Sequence, residues 1–327
     1  MRKYLPLIPV YLLYVVLYLI GFQVRGMWQP MALLAFYAAL GQTFNIFMGM
    51  TGYVDFGYVA FLALGAYGMA LAISGLASSF GAGVIVVGLL LALTMAALLA
   101  LAVGAIALRL RGAYFAIATI GVNEGVRYLI EGARLWGGSE GIIISRPLRE
   151  AFGPEGANLL STFWADTLVY MIAMLAAFIT VQYLHSRIGY ALMALREDED
   201  AAKVMGVHTT KYKIIAFITS AALGGLIGAT GWVLKLTYVF PADVFAVHYT
   251  VEAIVIVLLG GAGTLLGPLT GGIIYAALKY WLSISFPGLQ LLLLAPIILV
   301  IIVAFPQGMI GVLKAKVKGT FLENIIV

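Results

Sequence analysis

The chain has 327 residues, of which 63% are hydrophobic and only 10% charged, with a mean hydropathy of +1.07. Soluble domains are roughly half apolar and a quarter charged, so this composition excludes an ordinary soluble domain. The absence of cysteine excludes disulfides, thiolate metal sites and a cysteine nucleophile, and a net charge of +5 is read from its placement at helix ends rather than as a nucleic-acid patch.

Apolar runs of about 20 residues, the length that crosses the hydrocarbon core, recur without the alternation a β-barrel requires. The expected fold is all-α: a polytopic membrane helix bundle of about ten transmembrane helices with broken or re-entrant segments, forming a single domain over 1–327. The opening run, MRKYLPLIPVYLLYVVLYLIGF, has a charged start like a signal peptide. No small-residue cleavage site follows it, so it is read as a retained first span near 4–22. Further spans are expected near 27–48, 56–76, 83–108 and 113–130, the last carrying Asn123, Glu124 and Arg127. A polar stretch at about 131–161 reads as an extracytoplasmic loop. Spans near 162–184, 212–235, 250–260, 264–282 and 289–305 follow, with a tail at about 307–327. The eighth is short or starts earlier, near Val244.

With the N-terminus placed inside, the inner segments hold Arg2, Lys3, Arg109, Arg111, Arg187, Arg196, Lys203, Lys211, Lys213, Lys314, Lys316 and Lys318. The outer segments hold only Arg25, Arg134, Arg146, Arg149 and Lys235. Twelve basic residues against five follow the positive-inside rule and predict both termini in the cytoplasm.

That arrangement also puts the charged segment REDEDAAKVMG, Arg196–Gly206, in the cytoplasm. Ile188, Ala191, Leu192 and Leu195 recur at helical spacing, so an amphipathic helix is expected over about 187–210. Glu199 precedes Lys203 by four, the favourable order for a helical ion pair, and Gly206 is placed to end the helix. Small Ala201 and Ala202 suit a groove on another protein. A plain solvated connecting helix is the alternative.

The pattern Asp200-Ala201-Ala202-x-x-x-Gly206 resembles the E-A-A-x-x-x-G segment of ABC-importer permeases, the loop that docks on the ATPase. Other segments resemble, in order, the LivM-type permease of branched-chain amino acid importers. These are MGMTGYVDFGYVAFLALGAY, LRLRGAYFAIATIG, GGSEGI, GGAGTLLGPLTGG and FPQGMIG, so the resemblance covers about 44–311. Asp55 stands where the family usually has Ser, Tyr53 where it has Gln, and Tyr58 where it has His; Glu140 and Gln307 also depart. The resemblance implies half of a transmembrane pore in a prokaryotic plasma membrane, paired with a second, homologous permease. Two cytoplasmic ATPase subunits would drive it and an extracytoplasmic solute-binding protein would deliver leucine, isoleucine or valine. Relatives carrying urea, short amides or other small solutes leave the solute open. It implies ATPase-coupling roles for Arg196, Glu199, Asp200, Ala201, Ala202 and Gly206. The chain has no Gly-Lys pair, hence no phosphate loop. It is expected to need no cofactor, the ATP being used by the partner subunits.

Ionisable groups within spans default to functional hypotheses. Candidates for the translocation pathway are Asn45, Asp55, Asn123, Glu124 and Glu252, with Gly261, Gly263 and Pro268 in the glycine-rich break, for which tight packing is an equal alternative. Simpler readings stand beside them. Glu124 and Arg127, three apart, neutralise each other; Asp55 is a loop residue; Glu252 lies near a helix end facing solvent; Lys279 snorkels to the interface. The pairs Gly224/Gly228, Gly267/Gly271 and Gly121/Gly125 read as helix-packing positions. His185, His208 and His248 make no metal pattern, and no catalytic arrangement is found. The rival function is an ion-coupled secondary transporter, which would place carboxylates such as Glu124 and Glu252 at mid-membrane.

Overall fold

Small residues decide which faces of these apolar helices can meet. The computed structural model describes residues 4–305 and 307–317; Arg2, Lys3 and Lys318, counted above for orientation, lie outside them. In chain order the helices are α1 (Leu7–Gln23), α2 (Trp28–Asn45), α3 (Met48–Thr51), α4 (Tyr58–Phe80), α5 (Gly83–Ala107), α6 (Ala113–Gly132), α7 (Ser145–Leu159) and α8 (Ala165–Leu184). They continue with α9 (Arg187–Glu197), α10 (Glu199–Val204), α11 (Thr209–Ile227), α12 (Pro241–Val244), α13 (His248–Gly260), α14 (Leu266–Ser285), α15 (Gln290–Ala304) and α16 (Gly308–Val317). Two-residue strands, β1 (Ile142–Ile143) and β2 (Tyr238–Val239), pair antiparallel with Ile142 opposite Val239.

Helices stand at all ten expected positions. Six stretches among the described residues are long and apolar enough to cross a membrane: Trp28–Thr51, Tyr58–Phe80, Gly83–Ala107, Ser145–Leu184, Thr209–Leu234 and Pro241–Gly260. The helices α1, α6, α14 and α15 fall short of that measure. The stretch 131–161 is less loop-like than its polarity suggested. Left-handed backbone at Arg134 (φ 52°) and Trp136 (φ 51°) turns the chain after α6. Then α7, interrupted at Gly153 (φ 71°) before Pro154, runs through a π turn into α8.

The chain gathers into two units. One comprises 53–172 and 210–251. Its centre is the α4–α5 hairpin. On α5, Gly88, Ala92, Ala96, Ala100 and Gly104 recur every fourth residue and are all buried. Val86, Leu90, Leu98 and Leu101 on the same helix are exposed, as a lipid-facing surface must be. A Cβ on Gly68 of α4 would stand 2.8 Å from the Ala92 nitrogen. On α11, a Cβ on Gly225 would meet Ala96 Cβ at 2.7 Å and the Ala92 carbonyl at 2.9 Å. Gly228, which opens the π turn after α11, has no room for one against the Leu62 backbone. With lipid as apolar as leucine, this close approach is what holds the helices, through van der Waals contact. Gly121 and Gly125 correct the packing expectation: a Cβ on either meets nothing within 4 Å, so that pair packs against nothing among the described residues.

The other unit comprises 1–52, 173–209 and 252–327. Here α13 and α14 form an antiparallel hairpin in which Gly260 lies on Gly267 and Gly271 on the Ile256 carbonyl, while Gly272 lies on Ala38 of α2. Gly308, at the start of α16 with φ +71°, sits against the backbone of Gly261.

Candidate coupling segment and buried polar groups

The expected single helix over 187–210 is two. Ser186 caps α9, its hydroxyl accepting from the Gly189 amide at 3.3 Å, and Ala191, Leu192 and Leu195 turn inward. Asp198 then takes extended backbone (φ −155°, ψ 111°) and caps α10, accepting from the amides of Asp200 and Ala201, each at 2.9 Å. Glu199 and Asp200 occupy the first turn of α10, where negative charge meets the positive end of the helix dipole. Glu199 pairs with Lys203 at 3.0 Å. Gly206, at φ +85°, ends the helix, its amide bonding Lys203 and the Val207 amide bonding Ala202, both at 3.0 Å; this closes the last carbonyls as a Schellman cap does.

The exposed face of this segment is not the one the sequence suggested. Ala202 is only 5% exposed, so its methyl packs within the chain instead of filling a partner's groove. Ala201 is exposed. Beside it Val204 is 86% and Met205 83% exposed, two exposed apolar side chains on a charge-rich segment. An apolar pair just before the helix-ending Gly206 was the sequence signal for them.

Arg196 also turns toward its own chain. Its Nη1 donates to the Gly49 carbonyl at 2.7 Å and to the Ala262 carbonyl at 3.2 Å. Asn45 holds the same segment: its Oδ1 accepts from the Gly263 amide at 2.8 Å and its Nδ2 donates to the Thr264 carbonyl at 3.0 Å. Gly261 and Gly263 have φ of +122° and +78°. A Cβ on Gly263 would lie 2.5 Å from Arg196 Nη1 and 2.8 Å from the Gly49 carbonyl. Pro268 sits in the first turn of α14, where no helical bond is lost. The glycine-rich break is therefore a tight α13–α14 turn fastened to α9. The backbone is broken here, as expected, and the break is closely packed.

Within the same unit, Glu252 is 5% exposed and pairs with Lys279 at 2.5 Å. Lys279 also donates to the Tyr37 hydroxyl at 2.6 Å and stands 5.0 Å over its ring. This overturns two expectations: Glu252 does not face solvent and Lys279 does not snorkel, because the ammonium pairs with Glu252 Oε1 inside the chain.

The remaining candidates belong to the other unit. Asn123 is fully buried, its Nδ2 donating to the Phe245 carbonyl at 3.1 Å. Arg127 pairs with Glu131 at 3.0 Å rather than primarily with Glu124, which stands 3.9 Å away. Asp55, in the connection between α3 and α4, is buried and accepts from the Gly57 amide at 2.9 Å. Burial raises its carboxyl to about 7, against the pull of hydrogen bonds from Gly57 and Thr119. Lys213, counted above only among the inner basic residues, is buried. It is 2% exposed, with Nζ donating to the Leu108 carbonyl at 3.0 Å and standing 4.6 Å over the Tyr53 ring. A cation at the C-terminus of α5 suits that helix's dipole, and Tyr53, one of the family departures, was its trace in the sequence. Among the described residues no cluster of His, Asp or Glu could hold a metal ion.

A family described as the permease component of the branched-chain amino acid transport system matches residues 29–303. The LivM permease protein of the high-affinity branched-chain amino acid transport system of Escherichia coli K12 is 29% identical over 315 residues, covering 90% of this chain and 72% of that protein. The LivH permease protein of the same strain is 27% identical over 172 residues, half of each chain. A probable branched-chain amino acid transport permease protein LivM from Methanocaldococcus jannaschii is 29% identical over 204 residues, covering 60% of this chain and 56% of that one. No solved structure matches the chain.

Proposed function

This chain belongs to the permease-component family of branched-chain amino acid transport systems, and we propose on that premise that it forms half of the pore of an ABC importer. It is a multi-pass membrane transport protein and not an enzyme. In the proposed assembly it sits in a prokaryotic plasma membrane with both termini in the cytoplasm, beside a second, homologous permease. Two ATPase subunits bind ATP and dock on the α9–α10 segment, and a solute-binding protein works from outside.

The observation that carries the proposal is Val204 and Met205, solvent-exposed at the end of a fully capped helix. Exposed apolar side chains rimmed by charge mark a protein-binding surface, where the apolar core supplies contact and the rim charges steer association. The second permease is supported by α6. Its open Gly121 and Gly125 share a helix with Glu124, Arg127 and Glu131, and charged side chains in a span face protein or water rather than lipid.

The solute is leucine, isoleucine or valine in this reading. The related possibility, urea or a short amide, rests on the departures at Tyr53, Asp55 and Tyr58. Uptake of radiolabelled leucine by cells expressing the whole system, competed by isoleucine, valine, urea and acetamide, separates the two. Competition by the branched-chain amino acids supports the proposal; competition by urea or acetamide alone reassigns the solute.

A further inference from the structure

Arg196 reaches out of the coupling segment into two other parts of its unit. From the last turn of α9, its Nη1 bonds the Gly49 carbonyl in α3 and the Ala262 carbonyl in the α13–α14 turn. The turn it grips is unusually constrained. Gly261 and Gly263 hold backbone conformations that other residues rarely adopt. Asn45 bonds Gly263 and Thr264 from α2, and Gly308 of α16 lies against Gly261. A Cβ on Gly52, just after α3, would touch the Arg196 stem at 3.4 Å. One guanidinium thus fastens α9 to α3 and to the α13–α14 turn at once. Charge-assisted bonds to carbonyls are strong, and the planar fork of arginine can serve two acceptors together.

Beyond Asp198 the chain is different. The extended residue breaks the helix, and α10 presents Val204 and Met205 outward. The segment therefore has an outward-facing end, α10, and an inward-gripping end, the last turn of α9.

We propose that Arg196 is a transmission residue: it carries movement of the ATPase-facing α9–α10 segment into α3 and the α13–α14 turn, and does not itself form the ATPase contact. This rests on the importer reading above and deepens it by separating docking from transmission along one segment.

The test uses the whole importer, purified from its native membrane through a tag on this chain and reconstituted into liposomes containing ATP, with Arg196→Gln, Arg196→Lys and Met205→Asp compared with wild type. Transmission predicts that Arg196→Gln retains the ATPases at the wild-type level while leucine uptake per ATP hydrolysed falls about tenfold. Arg196→Lys, a single point donor on a shorter reach, should fall between. Met205→Asp should lose the ATPases themselves. The substitution Ala262→Cys, at a partly exposed position in a chain with no native cysteine, adds a readout independent of the partners. Reaction of the introduced thiol with a maleimide should quicken in the Arg196→Gln background and stay at the wild-type rate in the Met205→Asp background. Wild-type coupling in Arg196→Gln overturns the proposal. So does loss of ATPases in step with uptake and an unchanged maleimide rate in the Ala262→Cys protein, which would make Arg196 a docking residue. Failure of both Arg196 variants to reach the membrane would make it a folding residue. Uptake that ignores ATP in the wild-type arm would sink the importer reading itself, and is told apart from all of these by that arm alone.

Discussion

Lys279 Nζ lies 2.5 Å from Glu252 Oε1, with both side chains largely shielded. A buried pair of this kind is neutral as a unit, and removing one partner strands the other charge, at a cost of about 3–5 kcal/mol. Glu252→Gln and Lys279→Met should each lower the melting temperature of the purified protein markedly, and the double variant should regain most of the loss. Additive losses in the double variant would show that the two do not act as a pair.

Docking by α10 is tested at its exposed end. Met205→Asp and Val204→Asp put a carboxylate where an apolar contact is expected. Each should reduce co-purification of the ATPases about tenfold or more, with the chain itself still inserted. Ala202→Trp is a different experiment, because Ala202 is buried: it should destabilise the α9–α10 segment by about 1–3 kcal/mol through overpacking. Undiminished ATPase recovery with Met205→Asp would refute the docking surface.

Glycines in two settings should behave in opposite ways. Gly225→Leu drives a side chain into Ala92 and Ala96 and should prevent stable accumulation of the protein. Gly121→Leu and Gly125→Leu, which meet nothing among the described residues, should accumulate normally yet recover less of the second permease on purification. Equal recovery would show that α6 does not face that subunit.

Asp55 sets a pH dependence. Its carboxyl is ordinarily near 3.8 and is held at about 7 in the folded chain. A raised value favours the protonated folded state. That contribution is complete at and below the unfolded value and is lost as pH rises toward 7, by at most about 1.4 kcal/mol per pH unit. Asp55→Asn keeps an acceptor for the Gly57 amide and cannot ionise. The variant should melt with wild type at pH 4 and above it at pH 8; identical curves at both would contradict the burial argument.

The helices were legible because long apolar runs bounded by Gly, Pro and charge have few other readings in a membrane, though six stretches among the described residues, not ten, are long and apolar enough to cross one. The end of α10 was legible too, since Gly206 and the Glu199–Lys203 spacing act locally. What escaped was decided by tertiary partners. Spacing along one helix suggested Glu124 for Arg127, but the geometry favours Glu131. Lys279 reads as a snorkelling residue until Glu252, 27 positions away, is folded against it. The glycine-rich break was legible as a break, but not the Asn45 and Arg196 bonds, from distant segments, that tie it down. Ala202, read as groove-filling, turns inward, while Met205, three residues on and given no role by that motif, is exposed.

If ATP bound by other subunits drives solute through this chain, leucine uptake by the reconstituted importer, with ATP and ion gradients varied separately, should follow ATP alone. Uptake should occur with ATP enclosed and gradients collapsed, and not with an imposed proton or sodium gradient and no ATP. Uptake that follows the gradient and ignores ATP would contradict the ATP-driven reading and restore the ion-coupled transporter.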